Sequence, residues 1–253
     1  MEVAQSRHTI NTIYAVLGLA LFLGLWQWAG KAGLAGPSLP AVSDVLRTLF
    51  SSDSFPLLSR SALSTLLSAA KGLLFGSSMA ILLAIVMRLL PPLQPGLDRL
   101  ALLVNAIPPI ALGPILIVVF SRSRTPTVLA AIQVFFLFYV AASSGLSAPP
   151  GLNNVITAFG ASHWKRLLYL ELPSALPYLA SGLKAAVSAS FIGAILGEWF
   201  GAPQGLGLVI LNAMQNFQIR LMWAAVTMAA AMSLTGFLAV AILEKILSRR
   251  FSA

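Results

Sequence analysis

The 253-residue chain contains no cysteine and very few charged residues. Without cysteine it can form neither a disulfide scaffold nor a thiolate metal site. Its two histidines, His8 and His163, are too few and too far apart for a histidine-rich metal site. Only 9% of its residues are charged, whereas an average soluble domain has about 25%. So few charges cannot cover a water-facing surface, and we expect most of the chain to face lipid.

The sequence also lacks the motifs of nucleotide and catalytic chemistry. It has no Gly-x-x-x-x-Gly-Lys-Ser/Thr loop, and no spacing typical of a catalytic triad or a metal site. The chain is therefore not predicted to be an enzyme, and any ATP that drives it must be hydrolysed by a partner. Its net charge of +9 comes from dispersed basic residues near the ends of apolar segments. That distribution favours anchoring in a lipid bilayer over binding nucleic acid.

Six apolar segments are long enough to cross a bilayer, which takes about 20 residues per helix. The predicted spans are 9–30, 66–87, 100–120, 126–145, 177–200 and 221–243. The fold class is therefore all-α, a polytopic membrane protein with a single transmembrane domain over residues 1–253. A short helix at 41–52, with Ser43 as a candidate N-cap, is predicted on the outer surface. Both termini share one side, and a small excess of lysine and arginine favours the cytoplasm.

A polar segment at 150–173 separates the fourth and fifth predicted spans. Four apolar residues in its first half share one helical face: Leu152, Val155, Ile156 and Phe159. Gly160 is predicted to adopt the left-handed conformation that ends this helix. Ser162 is predicted to cap a second short helix, which Pro173 should end. By pattern alone, this segment either docks into the groove of a partner or rests on lipid headgroups.

Several short motifs follow one another in a characteristic order. They are Leu39-Pro40, Asn105-Ala-Ile-Pro-Pro-Ile-Ala-Leu-Gly-Pro114, Gly160-Ala-Ser162, Leu172-Pro173-Ser-Ala-Leu-Pro177, Gly182-Leu-Lys184, and Glu198 with Gly201 and Gly205-Leu-Gly207. Together they resemble the membrane subunits of binding-protein-dependent ABC importers, in particular the sulfonate, nitrate and taurine permeases. The similarity extends from about Ser38 to Leu211.

This resemblance implies a type I ABC importer permease in the bacterial inner membrane. The expected partners are two ATPase subunits, which bind ATP and Mg²⁺, an extracytoplasmic solute-binding protein and a second copy of the chain. The chain itself would bind no cofactor. The segment at 150–173 would be the coupling loop that contacts the ATPase. Its predicted contact residues are Leu152, Val155, Ile156, Phe159, Gly160, Ala161, Ser162, Lys165, Arg166 and Pro173.

Two features depart from the family pattern. The usual Glu-Ala-Ala ahead of the loop glycine falls on Asn154-Val155-Ile156, so the acidic residue that normally helps to orient the loop is absent. We therefore expect the contact with the ATPase to differ in detail. The usual Phe-Gly after the third span reads Phe120-Ser121-Arg122-Ser123-Arg124, and its two arginines would face the outside, where a binding protein docks.

Candidate pathway residues are the polar and helix-breaking residues of the spans: Asn105, Pro108, Pro109, Pro114, Lys184, Ser188 and Glu198. The prolines either form a gate or only kink the third span. Glu198 is expected to pair with Arg220 or Lys71, because an unpaired carboxylate in lipid is costly. Lys184 either snorkels to the headgroups or attracts an anion.

Small residues in the fifth span, between Gly182 and Ala189, favour close helix packing and fit an interface between two copies. The solute implied by the resemblance is a small oxyanion such as a sulfonate, taurine or nitrate. An alternative is a vitamin precursor such as the thiamine pyrimidine. A stand-alone secondary transporter or channel is the alternative from another class, but it would need coupling acids or a polar filter, and only Glu198 comes close.

Overall fold

The computed structural model describes residues 2–147, 151–152 and 158–251, and all regular secondary structure in these ranges is helical. The helices are α1 (Glu2–Lys31), α2 (Val42–Leu49), α3 (Phe55–Leu89), α4 (Gln94–Ala106), α5 (Pro109–Phe120), α6 (Thr125–Gly145), α7 (His163–Arg166), α8 (Leu172–Glu198), α9 (Leu206–Gln215) and α10 (Ile219–Phe251). A π-helical turn, Leu167–Glu171, joins α7 directly to α8. Short 3₁₀ turns lie at Gly36–Ser38 and Pro91–Leu93.

Five helical segments in the described part of the chain are long and apolar enough to cross a membrane, and a bent pair makes a sixth if it counts as one span. That pair covers Pro91–Ala106 and Pro109–Phe120, which meet at 96°. We expected one span over 100–120 instead. The break follows from two consecutive prolines, because neither Pro108 nor Pro109 has an N–H and each forces the preceding residue out of the helix. Ile107 and Pro108 accordingly have extended ψ angles of 122° and 124°.

Contacts within the chain define two compact units, Met1–Ser59 with Ile210–Met228, and Arg60–Val209 with Ala229–Ala253. In the first unit, two tryptophans hold the segment before α2. The Trp26 indole N–H donates to the carbonyl of Pro40 at 3.1 Å, and that of Trp223 donates to Ser38 at 3.0 Å. Their rings lie 5.2 Å apart. Ser43 is not the N-cap of α2 as expected: Ala41 is, and Ser43 instead forms two hydrogen bonds with Gln27.

In the second unit, α6 and α8 pack closely because small residues line their contact. A Cβ on Gly193 would lie 2.6 Å from the Cα of Ala130, and one on Gly197 would lie 2.5 Å from the Cα of Pro126. Gly182 faces Ala141 in the same way. Such small residues allow helix backbones to approach each other in a membrane. Within the range 182–189, which we expected at an interface between copies, Gly182 thus packs on α6 of the same chain, whereas Ala185 is exposed.

Candidate functional site

The described part of the predicted coupling segment presents a large aromatic side chain. Phe159 is 87% exposed and Leu152 is also exposed. Gly160 has φ of 73°, in the left-handed region predicted for a residue that ends a helix. Val155 and Ile156, the other members of the predicted apolar face, lie outside the described residues.

The second helix of the segment starts where predicted but does not end there. Ser162 precedes α7, and its Oγ lies 3.5 Å from the N–H of Lys165, in the capping position. We expected Pro173 to end the helix. Instead, the chain runs from α7 through the π-helical turn into α8 without interruption. In that turn the N–H of Leu172 donates to the carbonyl of Leu167, five residues earlier. The wider turn accommodates Pro173, which has no N–H to donate.

A buried carboxylate anchors this region to α3. Glu171 is only 1% exposed, and it accepts two hydrogen bonds from the guanidinium of Arg88 at the end of α3, one of them from Nε at 3.2 Å. The Nε of Arg166 lies 3.1 Å from the same carboxylate. A bidentate arginine fixes the orientation of its partner as well as its charge. The end of the predicted coupling segment is therefore held to α3 by an acid that follows Gly160, although the family's acid before Gly160 is missing.

The predicted gate residues lie along the bent pair α4–α5. Asn105 lies in the last turn of α4, and Pro108 and Pro109 form the break. Pro114 lies inside α5 and does not end it. Next to it, Gly113 lies directly under the ring of Phe200, where a Cβ would overlap the ring. The break and this contact together set the direction in which α5 leaves the bend.

Glu198, at the opposite end of α8, is fully buried and is held by neutral donors. The hydroxyl of Thr65 donates to its Oε1 at 2.8 Å, and the N–H of Gly207 donates to its Oε2 at 2.7 Å. Thr65 in turn accepts from the N–H of Leu206 at 2.9 Å. These two side chains satisfy the first two N–H groups of α9, which would otherwise lack partners. We expected Arg220 or Lys71 as the partner of Glu198, and this expectation was wrong: among the described residues, neutral donors hold the carboxylate.

Lys184 neither snorkels freely nor offers an unpaired charge to an anion. Its Nζ lies 2.5 Å from an oxygen of Glu244 on α10, and both side chains are about one quarter exposed. Ser188, the remaining predicted pathway residue, is half-buried on the same helix.

The structure thus places two buried acids at the two ends of α8, whereas the predicted gate residues lie along α4 and α5, and Lys184 and Ser188 lie within α8. Glu171 precedes α8 and Glu198 is its last residue, so the 27 residues of the helix separate them by about 40 Å at 1.5 Å per residue. Sequence reasoning missed Glu171, Arg88 and Thr65. Glu171 had a detectable signal, since it is the only acid in the polar segment at 150–173. Sequence reasoning also missed a hydrogen bond between α6 and α4, which the Tyr139 hydroxyl donates to Asp98 at 2.7 Å.

Comparisons with known proteins agree on one type of protein. A family model described as "Binding-protein-dependent transport system inner membrane component" matches residues 72–253. A probable ABC transporter permease protein of Haemophilus influenzae is 30% identical over 228 residues, which is 89% of this chain and 92% of that protein. The formylaminopyrimidine transport permease protein ThiX of Halalkalibacterium halodurans is 31% identical over 244 residues, 95% of this chain and 97% of that protein.

A solved structure shares the fold. One chain of the MetNI methionine ABC transporter, in an inward-facing conformation, superimposes with a TM-score of 0.68 at 16% identity. The match covers 78% of this chain and 99% of that chain.

Proposed function

The chain belongs to the family of binding-protein-dependent transport system inner membrane components, and from this membership we propose how it works within an importer. It is the permease subunit of an ABC importer, with the all-α fold of a type I permease, and it is not itself an enzyme. In our proposal, two copies line the pathway, two ATPase subunits bind on the cytoplasmic side, and a solute-binding protein docks outside. Two-fold symmetry lets two six-helix subunits enclose a pathway on their common axis.

One observation carries the coupling proposal: the exposed ring of Phe159 beside Gly160. A large aromatic side chain that is 87% exposed is a typical anchor for a partner's pocket. Leu152, seven residues earlier, has the spacing of the same helical face, and it is exposed too. We infer that this face docks into a groove of the ATPase and that both termini of the chain lie in the cytoplasm with it.

The continuity of α7, the π-helical turn and α8 supports a mechanical role for this docking. A displacement of the segment around Gly160 is passed along α8 because no loop interrupts the helix. The ion pair between Arg88 and Glu171 carries the same displacement to α3. At the far end, the Glu198 network moves with α8 because it is built on that helix. We propose that closure of the ATPase dimer drives alternating access in this way.

The solute is a small molecule that the binding protein selects. Our first candidate is an oxyanion such as a sulfonate, taurine or nitrate, because relatives are named as aliphatic sulfonate, nitrate and bicarbonate permeases. The second candidate is a vitamin precursor. It is favoured by the formylaminopyrimidine permease, which matches nearly the full length of both chains, whereas the nitrate permease matches 62% of this chain.

The coupling proposal is tested by Phe159→Asp. The full-length tagged chain is purified in mild detergent from its own cells, and the eluate is assayed for an ATPase subunit and for ATP hydrolysis. The wild-type chain is expected to bring down the ATPase, and Phe159→Asp to lose most of it, because an aspartate cannot enter an apolar groove without losing its hydration. ATP-dependent solute uptake should fall in parallel.

Phe217→Asp is the matched control, since Phe217 is equally exposed, at 86%, and precedes α10, away from the coupling segment along the chain. It should leave the ATPase bound. Gly160→Pro should behave like Phe159→Asp because proline cannot adopt a φ of 73°. If neither Phe159→Asp nor Gly160→Pro reduces ATPase capture or uptake, the coupling proposal fails. If the wild type never captures an ATPase and transports without ATP, the chain acts as a secondary transporter.

A further inference from the structure

A cavity of about 990 Å³ lies beside α3, α5 and α6 and opens at the surface of the chain. None of the predicted site residues is among the described residues that line it. Its charged and large apolar lining residues include Lys71, Phe75, Met79, Phe120, Arg124 and Phe135. They combine two positive charges with three aromatic rings, and there is no aspartate or glutamate among the described lining residues. The cavity therefore suits a ligand with a negative charge and an apolar body.

The two cations have no acidic partner of their own. The ion pairs found among the described residues join Glu171 to Arg88 and Arg166, and Glu244 to Lys184, and none involves Lys71 or Arg124. Lys71 lies inside the second predicted span, 66–87, near its outer end. A basic residue inside a span is costly unless it reaches the headgroups or has a partner or a ligand.

Backbone packing brings the two charges to the same wall of the cavity. Gly72, the neighbour of Lys71, lies so close to α6 that a Cβ there would be 3.0 Å from the carbonyl of Thr127 and from the N–H of Ala131. Lys71 is thereby held beside the first two turns of α6. Arg124 immediately precedes α6, about 5–10 Å away along the helix axis. Both long side chains can reach one anionic group across that distance.

The rest of the lining is suited to an apolar group. Phe75, Phe120 and Phe135 offer ring faces and edges, and Met79 adds a polarisable side chain. A cavity of this size is at the upper end of the roughly 300–1,000 Å³ typical of small-molecule sites. A bare inorganic anion would leave most of it empty and would contact none of the rings.

We propose that this cavity holds the solute during its passage, and that the solute is an organic monoanion with an aromatic or aliphatic body. This inference rests on the proposed function, and it narrows the oxyanion candidate to organic anions such as sulfonates. Val104, which borders the cavity, is the neighbour of Asn105 at the end of α4. The cavity thus adjoins the broken helix pair that we predict to act as the gate.

The test measures ligand binding to the full-length chain in nanodiscs of pure phosphatidylcholine. Three probes separate the requirement for a negative charge from the requirement for a ring. Benzenesulfonate has both the charge and the ring, benzenesulfonamide has the ring without the charge, and nitrate has the charge without the ring. Only benzenesulfonate is expected to bind measurably. Lys71→Gln and Arg124→Gln should each weaken it roughly tenfold, the order expected for losing a hydrogen bond to a charged group. Lys71→Arg should retain binding.

Arg122→Gln is the matched control, because Arg122 is in the same loop as Arg124 but does not line the cavity. Equal losses in Arg122→Gln and Arg124→Gln would overturn the proposal, and so would nitrate binding as tightly as benzenesulfonate. The same measurement with phosphatidylglycerol in the nanodisc identifies a competing source of the anion. If that lipid abolishes benzenesulfonate binding, the cavity is a lipid site and the proposal is wrong. ATPase capture by the same variants is scored separately, so a failed cavity leaves the coupling proposal standing.

Discussion

Glu198 is held by hydrogen bonds rather than by a counter-charge, and this decides which substitutions it tolerates. Its carboxylate accepts from the Thr65 hydroxyl and from the N–H of Gly207. Gly205 and Gly207 make room for it, since a Cβ on Gly205 would overlap the carboxylate and one on Gly207 would lie 2.9 Å from Oε2. The Glu198 and Gly205-Leu-Gly207 motifs therefore describe one structural unit, in which the acid caps the helix that the glycines begin.

This arrangement predicts that Glu198→Gln is tolerated and that Glu198→Ala is not. A glutamine can accept from Gly207 and donate to the oxygen of Thr65, whose own proton can turn to the carbonyl of Ser61, 3.2 Å away. Alanine leaves the Gly207 N–H buried without a partner, at a cost of about 1–3 kcal/mol. Unfolding of the detergent-solubilised chain measures the difference. Thr65→Val should resemble Glu198→Ala, because it removes the acceptor of the Leu206 N–H.

Loss of transport in Glu198→Gln would contradict this prediction. If Glu198→Gln abolished transport while leaving the stability of the chain unchanged, the negative charge itself would be needed. The gating role that we expected for Glu198 would then outweigh its role as a helix cap.

At the scale of secondary-structure elements, the important link is between α3 and the helix that leads into α8. The Arg88–Glu171 pair is buried at its acidic end, whereas the Lys184–Glu244 pair is partly exposed at both ends. Removing one partner of a buried pair leaves a charge without compensation, which costs about 3–5 kcal/mol. An exposed pair typically contributes about 0–1 kcal/mol. The two pairs therefore offer a comparison within one chain.

We predict that Glu171→Gln uncouples ATP hydrolysis from transport, because Arg88 and Arg166 lose the carboxylate that orients the turn before α8. The measurement is the ratio of solute uptake to ATP hydrolysis in proteoliposomes that contain the complete transporter. The double variant Arg88→Glu with Glu171→Arg should recover part of the ratio. Glu244→Gln, which breaks the more exposed pair, should change it little. A ratio that is unchanged in Glu171→Gln would contradict the proposed link.

These elements also show what the sequence could and could not predict. Gly160 was recognisable because a glycine after an apolar helical face marks a left-handed end. The continuation of the helix through Pro173 could not be recognised from the sequence. Helix propensity reflects the missing N–H of proline, but not the π-helical turn that accommodates it. The partner of Glu198 was wrong for a related reason. Sequence reasoning pairs an acid with a base, whereas the folded chain supplied a threonine hydroxyl and a backbone N–H from the first turn of α9.

At the scale of the whole molecule, the packing of α8 limits where two copies can meet. Its small residues Gly193 and Gly197 are already pressed against Ala130 and Pro126 of the same chain. Gly193 and Gly197 are therefore not available for contact with a second copy. The family membership still requires a pathway, and we expect two copies of the 26.7-kDa chain in each transporter.

This expectation is tested with tagged and untagged copies of the chain expressed together. The tagged copy should capture the untagged one, and native mass spectrometry should find two permease chains with two ATPase subunits. Gly193→Leu should reduce the yield of folded chain, because α6 leaves no space for the side chain, but the folded remainder should still form pairs. Gly24→Leu on α1 is the control, since no atom of a described residue packs within 4 Å of a Cβ there. A well-folded Gly193→Leu chain that no longer captures its partner would instead place the interface on the small-residue face of α8.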